Sequence, residues 1–213
     1  MSKTIVLASA SPSRKRLLES VGISPLISIS GVDEETPELL ALPPADLVIA
    51  LAILKAHSVH QALQSSGENL ANSLIIGCDS TFEFEGESLG KPLTAEAAIE
   101  RCHRLSGKTG YLHTGHCVID PAQGLEVSDI STAKVTFAKM TEAEIADYVA
   151  SGEPLHVAGG FTLDGLSAPF ITHIEGDPSG IIGLSLTNLR KIAINLGLQW
   201  SDVAPVKVSH DSH

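Results

Sequence analysis

The chain has 213 residues, 43% of them hydrophobic and 18% charged, enough to bury a sizeable core and too apolar for a disordered chain. Fourteen Lys and Arg against 25 Asp and Glu leave a formal net charge of -11. That balance argues against a nucleic-acid partner, because backbone binders draw their affinity from clustered cations.

The first element is a short apolar run at residues 5–8, read as a buried strand. It leads into the hydroxyl-rich turn Ser9-Ala10-Ser11-Pro12-Ser13 and then into Arg14, Lys15 and Arg16. Pro12 suits the first turn of a helix, where the N–H groups have no intrahelical partner, and Gly22 stands just past its end. Residues 26–29 form a second apolar run, closed by Ser30-Gly31-Val32-Asp33-Glu34-Glu35. Pro43-Pro44 opens a helical pattern over 45–63, and residues 74–78 read as an apolar strand that stops at Asp79-Ser80-Thr81. A hairpin-like passage over 82–89 precedes Gly90-Lys91-Pro92, and a helix follows over 95–105. Two β-rich runs, 114–119 and 127–137, come next. A helix capped by Thr141 with Glu144 in the capping-box position runs to Ala150. The Gly-rich stretch 151–165 reads as a loop, 170–174 as a strand and 189–198 as a closing helix. Alternating helices and strands followed by paired strands predict an α/β fold with a mixed sheet. The expected organisation is one domain over 1–200 and a polar tail over 201–213.

Cys78, Cys102 and Cys117 are odd in number and lack metal-ligand spacing, so they read as buried free thiols of a reducing compartment. No apolar run in the sequence reaches membrane-spanning length and Met1 to Thr4 carries no signal-peptide pattern. The expectation is a cytoplasmic protein without a membrane partner.

Polar residues that end apolar strands line the crevices where open sheets bind ligands. Four such places occur: Ser9 to Arg14, Asp33 to Glu35, Asp79-Ser80 and Lys91-Pro92. With Lys55 they supply cations for phosphates and carboxylates for a metal. Taken singly, Lys55 reads as a solvated helix face, Asp79 as a turn cap and Glu34 as a loop acid. Their joint presence is the specific signal. His57 and His60 read as a solvated face rather than a metal pair, and a P-loop is absent. The segments 153–165 and 175–178 fit either closing loops or connecting turns.

Residues 7–14, Asp33-Glu34, Lys55-Ala56, residues 77–80, Gly90-Lys91-Pro92, Leu105-Ser106-Gly107, Thr114-Gly115, residues 148–154 and Ile182-Gly183-Leu184 follow one another in the order seen in Maf proteins. The chain resembles this family over about 5–198. The resemblance implies an elongated α/β fold with a central cleft, inosine-triphosphatase-like, often as a homodimer. It also implies a divalent cation, Mg²⁺ or Mn²⁺, and cleavage of a nucleoside triphosphate to the monophosphate and pyrophosphate. Carried onto this sequence, Asp79 takes the proton of the attacking water and shares a metal with Glu34. Ser9, Arg14, Lys55 and Lys91 bind the triphosphate. A carboxylate is a weak base at neutral pH, so orienting the water is an equally good role for Asp79.

Positions 13, 80 and 164 are those the family uses to choose its base, and here they depart from the dTTP/UTP pattern. Ser13 replaces the first of two arginines, Ser80 a threonine and Asp164 a glutamine. A carboxylate only accepts hydrogen bonds, so Asp164 by itself favours a donor-bearing base edge. The loss of an arginine at position 13 leaves a second reading, a catalytically weak nucleotide-binding regulator of septum formation.

Overall fold

Strands β1 (Thr4–Leu7), β2 (Leu26–Ile27), β3 (Ser73–Phe84), β4 (Glu87–Leu89), β5 (Thr109–Asp120), β6 (Leu125–Phe137) and β7 (Ile171–Glu175) form one mixed sheet. Its order is β2-β1-β3-β5-β6-β7, with β4 beside the far end of β3. The pairs β2/β1 and β1/β3 are parallel, and all others are antiparallel. The computed structural model describes residues 2–204. His210, His213 and the rest of the expected tail from residue 205 lie outside them.

The helices are α1 (Pro12–Ser20), α2 (Pro37–Leu40), α3 (Pro44–Ser65), α4 (Ala95–Leu105), α5 (Glu142–Ala150), α6 (Pro178–Ile182), α7 (Leu186–Asn195) and α8 (Trp200–Val203). Alternation along β1 and β3 divides the core in two. Ile5, Leu7, Leu74, Ile76 and Cys78 pack on Leu18 of α1, on Leu189, Ile192 and Leu196 around α7, and on Val203 of α8. Val6, Ala8, Ile75 and Cys117 pack on Ala52, Ala56 and Val59 of α3. Beyond them Phe82, Phe137 and Phe161 meet edge to face, with ring centroids 5.0–5.8 Å apart. That is the arrangement favoured by the ring quadrupoles.

Helix α3 is long and apolar enough to cross a membrane by length and composition, which the run-by-run sequence reading did not register. Here it is a core helix of the sheet. Its backbone lies directly on two glycines: a Cβ on Gly77 would overlap the Ala52 carbonyl oxygen, and one on Gly115 the Val48 carbonyl oxygen. This close approach is what brings Lys55 down to the sheet.

Several element boundaries differ from the sequence expectation. The strand expected over 74–78 does not stop at Asp79, because β3 continues six residues past Cys78 to Phe84. Where both faces are covered its residues are apolar throughout. Past Cys78 the pattern becomes alternating, with Phe82 and Phe84 in the core, and the unbroken pairing with β5 carries the strand on. The closing helix begins at Leu186 and not at 189, because Ser185 caps it and accepts from Asn188 N. Helices α2 and α6 were not expected, being too short to show a period. The stretch 151–165 is a loop with short 3₁₀ turns at 153–156 and 158–160. All three cysteines are buried and unpaired.

Candidate active site

The site forms where β1 ends and β3 goes on. The last backbone bond between them runs from Ala8 N to Ile76 O, 2.8 Å. The next carbonyl on that edge of β3, Cys78 O, has no strand to pair with. A buried carbonyl left so is costly, and Arg14 Nη1 donates to it at 2.9 Å. Arg14 is 9% exposed and its guanidinium nearly saturated. Nη1 also donates to Ser9 Oγ (3.0 Å), Nε to Gly183 O (2.8 Å) and Nη2 to Ser80 Oγ (3.1 Å). Ser80 in turn shares a hydrogen bond with Thr114 Oγ1, which donates to Gly180 O. Arg14 is held ready by its own helix start: Ser11 caps α1 and accepts from Arg14 N, with Pro12 in the first turn.

Successive strand residues point to opposite faces, so Asp79 lies on the α3 side. There Lys55 Nζ donates to Asp79 Oδ1 at 2.6 Å and meets Glu34 Oε1 at 2.8 Å. The Lys55 side chain is 8% exposed and that of Glu34 48%, so the group opens outward from its lysine. Two carboxylates and one ammonium carry one net negative charge.

Among the described residues no three His, Cys, Asp or Glu converge as a metal cluster. The donor chemistry nevertheless fits Mg²⁺ or Mn²⁺. These cations take hard oxygen ligands and are commonly held by one or two carboxylates together with substrate phosphates and water. Asp79 and Glu34 are two such carboxylates on one side of a lysine.

Other expected residues lie apart from these groups. Lys91 is exposed and makes no ion pair among the described residues, beside a turn anchored by Arg101 Nη1 and Gly159 N donating to Gly90 O. Ser13 and Asp164 are bridged by Arg16 and are not joined to Ser80. Arg16 Nη2 donates to Ser13 Oγ at 3.0 Å and to Asp164 Oδ2 at 3.3 Å. The 162–167 loop that carries Asp164 is folded around Glu153. That carboxylate accepts from Thr162 Oγ1 (2.7 Å), Leu166 N (2.9 Å) and Tyr148 OH (3.2 Å). Burial raises the Glu153 pKa, but these hydrogen bonds outweigh it and hold the carboxyl below its usual range.

A second buried network supports the Arg14 side. His116, fully buried on β5, accepts from Ser185 N at 2.8 Å. Asp177 accepts from Ser179 N, Ser179 Oγ and Ser185 Oγ, so it fixes the start of α6 and of α7. Burial, reinforced by the Arg14 cation, lowers the His116 pKa to about 4 and keeps the ring neutral. Sequence reasoning took Arg16 only as one of a cation cluster suited to an anion at the start of α1, and gave no role to Thr114, His116, Glu153 or Gly183. Thr114, Glu153 and Gly183 stand inside quoted motifs, and nothing local marks His116.

The fold and this crevice define an α/β protein with a mixed sheet whose open edge carries an acid–lysine–acid group on one face and a locked arginine on the other. The chain belongs to the Maf-like protein family, whose model matches residues 4–196. It is 49% identical over 195 residues to a protein of Streptomyces coelicolor, covering 92% of this chain and 91% of that one. It is 46% identical to proteins of Salinispora tropica (91% and 84% covered) and Thermosynechococcus vestitus (93% and 96% covered). All three relatives carry the name nucleoside triphosphate pyrophosphatase.

Proposed function

We propose that this chain is a nucleoside triphosphate pyrophosphatase, a hydrolase that adds water across the α–β phosphoanhydride bond to give a nucleoside monophosphate and pyrophosphate. The observation that carries this reading is Lys55 Nζ lying between Asp79 Oδ1 and Glu34 Oε1 at the open edge of β3. The relatives' shared name supports it.

In this reading Asp79 accepts a hydrogen bond from the attacking water and turns its lone pair toward phosphorus. If the proton moves in the same step, Asp79 receives it. Lys55 keeps that carboxylate in place and offsets its charge as an anionic substrate arrives. The exposed ammonium of Lys91 supplies a further phosphate contact. Arg14 has four N–H groups bonded to protein, so its part is to fix Ser9 and the Cys78–Ser80 edge on which Asp79 stands. Asp79 and Glu34 would hold the divalent cation. When bound, it supplies the positive charge that a net-negative acid–lysine–acid group needs to receive a triphosphate.

We also take the protein to act in the cytoplasm and as a homodimer. Incubation of the purified protein with a panel of ribo- and deoxyribonucleoside triphosphates, methylated bases included, and with Mg²⁺ or Mn²⁺, tests the activity. Monophosphate and pyrophosphate, separated by ion exchange, are the expected products. Saturable binding without turnover would overturn the enzyme and leave a nucleotide-binding regulator.

A further inference from the structure

Two strands share the edge of β3 away from β5, and a gap lies between them. β1 ends where Leu7 pairs with Ile76, and β4 ends where Leu89 pairs with Phe82. Asp79 stands in that gap. Because β4 runs antiparallel to β3, the chain leaves Leu89 heading toward Asp79 and turns at Gly90-Lys91-Pro92-Leu93. Lys91 comes two residues after Leu89, and Asp79 lies three residues before Phe82, about 10 Å along the strand.

The turn is held in a conformation that its own residues do not favour. Leu93 is a non-glycine residue with a φ of 65°, in the left-handed region. Its side chain is exposed, so no packing of its own offsets the strain, and the surroundings must impose it. Leu93 N donates to Leu155 O at 3.1 Å, and Gly159 N donates to Gly90 O at 3.3 Å. Arg101 Nη1, from α4, donates to the same Gly90 carbonyl. Arg101 is half-buried and its stem lies against Gly160. A Cβ there would stand 3.4 Å from Arg101 Cδ and 3.2 Å from Pro92 Cγ. Tyr148 OH donates to Gly160 O and fixes that backbone in turn.

We propose that Arg101 is a positioning residue for phosphate binding, which fixes the turn so that Lys91 reaches phosphate oxygens at the gap in β3. Arg101 itself touches no phosphate. A lysine ammonium is a point charge on a flexible stem, so its yield in affinity depends on how much ordering its backbone still needs when the ligand arrives. A turn already held from α4 and from the 153–160 loop removes most of that cost. This rests on the reading of Lys91 as a phosphate contact and adds the residue through which α4 supports it.

The test is a double-mutant cycle on the full chain with Arg101→Ala, Lys91→Ala and the double variant, and with Arg101→Lys as the rescue. The probe is inorganic triphosphate with Mg²⁺, which offers a phosphate chain without a base. Calorimetry reads affinity, and thermal unfolding checks each variant. Lys91→Ala is expected to weaken binding about tenfold, the weight of one charge-assisted contact. Arg101→Ala is expected to bring most of that loss, and the double variant no more than Lys91→Ala alone. Arg101→Lys, which still offers Gly90 O a donor, is expected to restore part of it. With a nucleoside triphosphate that the wild type cleaves, Arg101→Ala should raise KM and leave kcat near the wild-type value, since Asp79 and Lys55 are untouched. Additive losses in the double variant, or a lower melting temperature with affinity unchanged, would overturn the inference. So would a Lys91→Ala protein that binds as the wild type does. Absence of product from every nucleoside triphosphate, with the cycle still non-additive, would overturn the pyrophosphatase reading and leave the role of Arg101 standing.

Discussion

On one face of β3, Asp79 meets Lys55 and Glu34 in a charged group that opens to solvent. On the other face, one residue on, Ser80 meets a guanidinium with four N–H groups already bonded to protein. The neighbouring strand repeats the division: Gly115 lies under α3, while His116 is buried toward α6 and α7. On the first side the partners of the cation are ionised carboxylates, of which Glu34 is half exposed. The other spends equally polar groups on holding the strand edge in position. Two buried cations at one strand edge thus differ in what they face: Lys55 meets two carboxylates, Arg14 two backbone carbonyls and two hydroxyls.

Substitutions can break this division, and the largest effect should come from the glycines. Gly115→Val puts a side chain against the Val48 carbonyl, which is backbone and cannot swing aside. It should cost about 4 kcal/mol or more and lift Lys55 from Asp79. Chemical denaturation measures the first, and loss of turnover beyond the loss of fold measures the second. Asp79→Ala is the complementary case. It should leave the melting temperature near that of the wild type and lower turnover by ~10²- to 10⁴-fold, about 3–5 kcal/mol of barrier. Near-normal turnover would remove Asp79 from the mechanism.

Arg14→Ala should act in the opposite proportion. It leaves the Cys78 and Gly183 carbonyls without their donor, a loss of about 3 kcal/mol in unfolding free energy. A stable Arg14→Ala protein with abolished turnover would move Arg14 from frame to chemistry.

The smallest effect is one of pH. His116 has a folded pKa lowered to about 4, against ~6.5 when unfolded, so between these values the unfolded chain binds more protons. Its contribution is complete above about pH 6.5 and is lost as pH falls through about 4, up to about 3 kcal/mol in all. Denaturation of wild type and His116→Gln at pH 7 and 4.5 should show a shallower pH dependence in the variant. Equal slopes would clear His116 of the acid sensitivity.

Much of this molecule was written locally. Ile5 to Arg16 announces strand, turn and helix because each step has its own chemistry. An apolar run needs burial, Ser11 and Pro12 satisfy or dispense with free N–H groups, and Gly22 releases the helix. The α/β class, the long helix over Lys55 and the capping box at Thr141 were all legible that way, and of the expected polar set Asp79, Glu34 and Lys55 do meet while Lys91 stands apart. Other features were not, because they depend on partners distant in sequence. Nothing in the residues 74–78 says that β5 will carry the strand past Asp79. That extension sends Asp79 and Ser80 to opposite faces. The local cluster Arg14, Lys15, Arg16 looks like three similar cations. The tertiary structure buries the first against Cys78 and Gly183, pairs the second with Glu19, and stretches the third to Asp164. Residue type and helical spacing are short-range properties and survive reading in one dimension. The partner that satisfies a given donor is decided only when the sheet and its crossing helices bring distant backbone groups within 3 Å.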